Sequence, residues 1–135
     1  MGKQSASDLL KLHTKRPTDK RVALLELLMD SPKAYALSEI EKKLSISIDR
    51  VTIYRTINTF EAVGLVTKMV DYRGICLYMF NHKDHSALST HPHFRCKECG
   101  KIVCLPSLPR SYLQKLEQYK IDEMYFLMEG ICSEC

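Results

Sequence analysis

Apolar residues in the first half of the chain recur every three or four positions, then change near Gly64 to short continuous runs. Val22, Leu25, Leu28 and Met29 predict a helix that starts at Thr18 and stops at Asp30-Ser31-Pro32. A second helix is expected from about Ser38, with Glu41 completing a capping box and Leu37, Ile40 and Leu44 facing inward. The stretch "DRVTIYRTINTFEAVG" predicts a third, with Asp49 as N-cap, Gly64 just past its end and Ile53, Ile57 and Phe60 as the apolar stripe. A strand over Leu65–Val70, the turn Asp71-Tyr72-Arg73-Gly74 and a strand over Ile75–Phe80 read as a hairpin. Three helices followed by a two-stranded hairpin describe a winged helix-turn-helix, whose third helix enters the major groove.

The polar face of that third helix carries Arg50, Tyr54 and Asn58 at steps of four, with Arg55 alongside. Charged, aromatic and amide groups in one row suit phosphates, thymine methyls and base edges together. Alone, such a row also fits an ordinary solvated face. Charge placement favours double-stranded DNA as the partner. Residues 1–70 hold 12 Lys/Arg against 8 Asp/Glu, a net of +4, whereas residues 71–135 hold 8 of each, a net of zero.

The second half follows another logic. Cys96-Lys97-Glu98-Cys99 and Cys132-Ser133-Glu134-Cys135 are two C-x2-C pairs separated by 32 residues. Two intervening residues let one tight turn aim both sulfurs at a point, and two such pairs supply the four thiolates of a closed tetrahedral zinc site. Doubling a loop costs only about 0.6 kcal/mol in closure entropy, against about 10–16 kcal/mol from structural zinc, so the separation is no obstacle. A strand over Lys101–Leu105, a helix over Leu108–Tyr119 and a strand over Ile121–Gly130 are expected between the pairs. A unit that small needs a staple. A thioredoxin-like motif would need its C-x2-C in a βαβ setting, which this pattern lacks.

The expected fold class is therefore α+β: a winged-helix unit over residues 1–80, a linking segment over 81–90 and a zinc-stapled α/β unit over 91–135. A content of 45% hydrophobic and 27% charged residues is that of a globular chain. No apolar run reaches membrane-spanning length and the polar start lacks a signal-peptide core, so a reducing, cytoplasmic setting is expected. Six cysteines in that setting point to metal rather than to disulfides.

His91, His93 and Cys104 remain outside the four-thiolate set. On a strand His91 and His93 project to one side, and His82, Asp84 and His85 lie just upstream in "NHKDHSALST". These six residues are candidates for a second, regulatory metal site; paired histidines are also common as plain polar strand residues. Cys76 alternates with Leu77 in the hairpin and reads as a packing residue.

Several of these motifs together resemble the ferric uptake regulator family of bacterial metalloregulators. The resemblance rests on Val51-Thr52-Ile53-Tyr54-Arg55, Gly64-Leu65-Val66, His91-x-His93, Cys96-x-x-Cys99-Gly100-Lys101-Ile102-Val103 and Gly130-Ile131-Cys132-x-x-Cys135, and runs from about Arg16 to the end. It implies a homodimer with an N-terminal winged helix and a C-terminal dimerisation domain. It also implies repression of metal-homeostasis genes when a divalent metal, such as iron or zinc, fills a sensing site between the domains. Carried onto this chain, it makes Tyr54 and Arg55 DNA-reading residues, with Lys15 or Arg16 reaching a minor groove. Cys96, Cys99, Cys132 and Cys135 become structural zinc ligands, and His91 and His93 sensing ligands.

The chain departs from the family pattern at the sensing site. A histidine before the second helix is replaced by Ala34, and an acidic ligand after the wing aromatic by Met79. A further acidic ligand is replaced by Cys104, and a later histidine falls near Met124. About five extra residues precede His91 and contain His82, Asp84 and His85. Two readings fit. The site is rebuilt from His91, His93, Cys104 and the inserted segment, where thiolate and imidazole favour zinc over iron(II) or manganese; or it has decayed and the protein answers to thiol oxidation. A small zinc hydrolase on His91, His93 and Cys104 is a rival, but no carboxylate is spaced as a general base, and an enzyme has no use for a winged helix. A protein-binding adaptor is another.

Overall fold

The computed structural model of the chain describes residues 5–13, 15–31, 33–81, 92–122 and 124–135. Helices α1 (Ala6–Leu12), α2 (Asp19–Met29), α3 (Leu37–Lys43) and α4 (Arg50–Ala62) precede the hairpin of β1 (Val66–Val70) and β2 (Cys76–Phe80). Strands β3 (His93–Cys96) and β4 (Ile102–Cys104), helix α5 (Arg110–Leu116) and strand β5 (Leu127–Gly130) complete the chain. None of the helices among the described residues is long and apolar enough to cross a membrane.

The helix α1 was not anticipated. Its N-cap Ser5 accepts from the Asp8 N–H at 3.1 Å, and Ala6 and Leu10, one turn apart, bury against α2. Seven residues are too few for a periodic signal. α2 runs as expected, capped by the Thr18 hydroxyl. α3 differs in its start: Ala36 stands at the N-cap, and Glu39, not Glu41, accepts from the Ala36 N–H at 3.2 Å. An alanine offers no side-chain acceptor in return, so only half of a capping box forms. Glu41 instead meets the Arg50 guanidinium at 2.9 Å.

α4 begins at Asp49, whose carboxylate accepts from the Thr52 N–H at 3.1 Å and the Thr52 hydroxyl at 2.6 Å. It ends where Gly64 turns to φ 84°. Ile53, Ile57 and Phe60 are fully buried. They join Leu24, Leu25, Leu28 and Ile40 in the main core.

β2 is buried on both faces because it lies between two cores. Tyr78 and Phe80 point to the helices, with the half-buried Cys76 beside them, whereas Leu77 and Met79 point the other way. There, with Ala34 and Met69, they pack against Ile102 and Leu127 of the second sheet. That sheet has the order β4-β3-β5, with β3 antiparallel to β4 and parallel to β5.

Three expected elements of the second half are shorter than the pattern suggested, β4 covering Ile102–Cys104 instead of Lys101–Leu105. α5 starts only after Pro109, which lacks a donor and has φ fixed at −57°, so the helix spans Arg110–Leu116 instead of Leu108–Tyr119. Residues 121, 122 and 124–126 are not strand, leaving β5 at Leu127–Gly130.

Candidate metal centre and nucleic-acid interface

Strand β3 delivers Cys96 into a tight turn that closes with the Gly100 N–H on the Cys96 carbonyl at 2.9 Å. Gly100 sits at φ 75°, a conformation that admits glycine without strain. Across the sheet, Lys97 N–H donates to the Gly130 carbonyl at 2.8 Å and brings the end of β5 alongside, so that Cys132 and Cys135 follow directly. All four sulfurs lie within 4.8 Å of one another. Cys96–Cys135 and Cys99–Cys132 are 3.8 Å apart and Cys132–Cys135 3.4 Å, with every cysteine a free thiol.

A zinc ion with four sulfurs at about 2.3 Å places them about 3.8 Å from each other. The cluster has those dimensions, so the donor set fits zinc. Its protonation is already uneven. Backbone N–H groups of Cys99 and Cys132, 3.5 and 3.4 Å from the Cys96 sulfur, bring its pKa down to about 6. Hydrogen bonding among the sulfurs, with Cys132 first and then Cys99 and Cys96, pushes the Cys135 thiol up to about 12. The backbone thus favours the thiolate at Cys96, whereas Cys135 holds its proton until a cation displaces it.

The second candidate group is partly in view. His82, Asp84, His85 and His91 lie outside the described residues. His93 is buried at 5% exposure and Cys104 is exposed, and the two are register partners across β3 and β4. Leu127 is the register partner of His93 on the other side, so Leu127, His93 and Cys104 form one row on one face of the sheet. The next row on that face is Glu129, Arg95 and Ile102. Both rows look toward the wing hairpin, since Leu127 and Ile102 pack on the cluster of Ala34, Met69, Leu77 and Met79. Ala34 and Met79, two of the departures from the family pattern, therefore sit in an apolar seam. Among the described residues, the four cysteines are the only group of three or more His, Cys, Asp or Glu side chains gathered for a metal.

The outer face of α4 presents Arg50, Tyr54, Arg55 and Asn58, all exposed. Arg50 is held by Glu41 in an exposed pair, a contact of small energetic weight that a phosphate can replace. Val51, 56% exposed, shares this face one turn before Tyr54 and Arg55. The sequence marks it only as part of the family motif, without a role of its own. Lys15 is half-buried and Arg16 exposed at the entry to α2, where the Arg16 carbonyl accepts from the Arg21 guanidinium at 3.0 Å.

A winged-helix unit joined to a small sheet with a four-cysteine centre defines a metal-binding DNA regulator. The model of the ferric uptake regulator family matches residues 13–125, and the chain belongs to that family. It is a metal-dependent transcription regulator and not an enzyme. The peroxide-responsive repressor PerR of Staphylococcus aureus is 28% identical over 127 residues, covering 89% of this chain and 82% of that protein. The fold is also that of a zinc uptake regulator solved with zinc and DNA (TM-score 0.72, 17% identity, 96% of this chain and 89% of the other). The Vibrio cholerae ferric uptake regulator is similar as well (TM-score 0.61, 22% identity, 93% and 98%).

Proposed function

We propose that the protein is a cytoplasmic, homodimeric repressor that binds operator DNA through α4 and its wing, with residues 1–80 as the DNA-binding unit and 91–135 as the dimerisation and metal unit. The exposed row of Arg50, Tyr54, Arg55 and Asn58, backed by a fully buried Ile53–Ile57–Phe60 stripe, carries the reading. A rigid apolar back and a free polar front are what a groove-reading helix needs. Tyr54, Arg55, Asn58 and Val51 meet base edges, while Arg50, Lys15 and Arg16 meet phosphates or a minor groove.

Cys96, Cys99, Cys132 and Cys135 hold a structural zinc. The sensed metal binds the His93–Cys104 pair together with ligands from His91, His82, Asp84 and His85. Thiolate and imidazole make that metal zinc rather than iron(II) or manganese. Met79 and Cys104 stand where the family pattern implies carboxylates, which argues against iron-driven peroxide sensing in this chain, although its S. aureus relative is named a peroxide-responsive repressor.

The outer surface supports the dimer. Val103 and Met128, at 38% and 51% exposure, lie on the sheet face away from the wing, and α5 has no buried residue. A gel shift on duplex DNA selected from a random pool tests the reading. Arg55→Ala and Tyr54→Ala are each expected to lose about 1–3 kcal/mol of affinity and to relax preference at their own positions. Unchanged binding by both variants would sink the assignment of α4.

A further inference from the structure

Three residues beside the cysteines, Lys97, Gly100 and Glu129, reach across to the DNA-binding half. Lys97, next to Cys96, holds its ammonium 4.9 Å from the Tyr72 ring centre in the wing turn. Gly100, next to Cys99, lies under the Lys33 side chain of the loop before α3; a Cβ there would meet its carbons at 3.5 Å. Glu129 precedes the second pair. Its Oε1 accepts from the Tyr72 backbone N–H at 2.9 Å and its Oε2 accepts from the Arg95 guanidinium at 3.2 Å.

The Glu129 contact is built, not incidental. Its side chain is only 8% exposed. A buried carboxylate is tolerated only when its oxygens are matched by donors. Here one donor is a backbone amide from 57 residues earlier in the chain. That amide belongs to a turn already shaped from within: Asp71 accepts from the Arg73 and Ile75 N–H groups at 2.9 and 3.0 Å, and Gly74 N–H closes on the Asp71 carbonyl at 2.9 Å. The turn has no need of Glu129 to form. What Glu129 adds is a fixed position relative to the sheet.

Glu129 is in turn held by the cysteine centre. It sits one residue before Gly130, whose carbonyl takes the Lys97 N–H, and three before Cys132, whose N–H donates to the Cys96 sulfur. If the cysteines separate, the end of β5 loses both ties and Glu129 loses its place.

We propose that Glu129 is a positioning residue for the wing: it fixes the turn Asp71–Gly74 on the sheet of β3, β4 and β5, and it does so only while the four cysteines are gathered around their metal. The metal centre thereby sets DNA affinity through Glu129 and Tyr72, in addition to stapling the sheet. This rests on the reading above that the wing and α4 meet DNA together.

The test uses the full, zinc-loaded chain and a duplex selected from a random pool. Zinc content, amide hydrogen exchange at residues 71–76 and DNA affinity are measured for wild type, Glu129→Ala, Glu129→Gln, Tyr72→Pro and Tyr72→Ala. Proline suits the second position of this turn; it removes the donated hydrogen and also the ring beside Lys97, so its effect is read against Tyr72→Ala, which loses the ring alone. Glu129→Ala and Tyr72→Pro are expected to keep their zinc and to bind DNA about tenfold more weakly, the size of one charge-assisted hydrogen bond. Combined, they lose no more than either alone. Glutamine, which still accepts a hydrogen bond, restores most of the affinity. Chelating the zinc from wild type exposes the Tyr72 amide as Glu129→Ala does. Equal or tighter binding by Glu129→Ala with zinc retained would overturn the proposal, as would a Tyr72 amide insensitive to zinc. A wild type that selects no duplex refutes the DNA reading instead, while the exchange arm still decides whether the wing answers to the metal.

Discussion

His93 and Cys104 face one another as a non-hydrogen-bonded pair, because the flanking bonds run from Leu105 N–H to Pro92 O and from Cys96 N–H to Lys101 O on either side. Side chains in such a pair approach more closely than in its hydrogen-bonded counterpart, with Cα atoms about 4.5 Å apart. An imidazole and a thiol are thus presented side by side on a rigid sheet, the arrangement that a metal bound by both requires.

The first prediction follows from that pair. Cys104→Ser changes one exposed atom and is expected to alter stability by no more than about 0.5 kcal/mol. It should nevertheless remove the exchangeable metal equivalent, measured by mass spectrometry before and after mild chelation, while one tightly held zinc stays. A second equivalent that survives in Cys104→Ser and in His93→Ala would place the regulatory site elsewhere.

The four-cysteine centre makes a different demand. Structural zinc contributes about 10–16 kcal/mol, comparable to the whole stability of a small domain. Cys99→Ser should therefore lose its zinc and unfold the sheet of β3, β4 and β5, seen as a loss of strand signal in circular dichroism. A zinc-free, folded Cys99→Ser protein would show that the staple is dispensable.

The two faces of α4 should separate cleanly. Ile57 is fully buried, and Ile57→Ala is expected to cost about 2–5 kcal/mol in urea unfolding. Val51 is 56% exposed, so Val51→Ala should leave stability within about 0.5 kcal/mol of wild type. It should weaken only binding to DNA that offers a thymine methyl at the matching step. Equal losses of stability in both variants would contradict the burial of this helix.

Acid should act on the wing turn through Asp71. Burial pushes its carboxyl up, but the Ile75 N–H, the Arg73 guanidinium and the Arg73 N–H together hold it below its ordinary value of 3.8. A carboxylate with a depressed folded-state pKa contributes stability at every pH above the unfolded value and loses it as pH falls through the folded one. The stability gap between wild type and Asp71→Asn should be level from about pH 7 to 5 and shrink below about 3.8. A gap that widens on acidification would reverse the sign.

Much of this was legible in the chain. The stripe Ile53, Ile57, Phe60 and the cap Asp49 defined α4, because a helix with one buried face writes its period into the sequence. The C-x2-C pairs announced their cluster because the spacing is itself the geometry. Short elements were less readable: α1 has only Ala6 and Leu10 to mark it, and the start of α3 depends on an alanine with no capping side chain. The seam was invisible. Ala34, Met69, Leu77 and Met79 meet Ile102 and Leu127 only after the chain returns from far along its length, and nothing local records that meeting.

The double burial of β2 has a thermodynamic consequence. Tyr78 and Phe80 complete the helical core, while Leu77 and Met79 complete the seam on the second sheet, so a single strand is a wall of both. Melting either core strips one face of that strand and weakens the other, which couples the two. Heating should therefore give one calorimetric transition with matching van't Hoff and calorimetric enthalpies, the signature of a single cooperative unit.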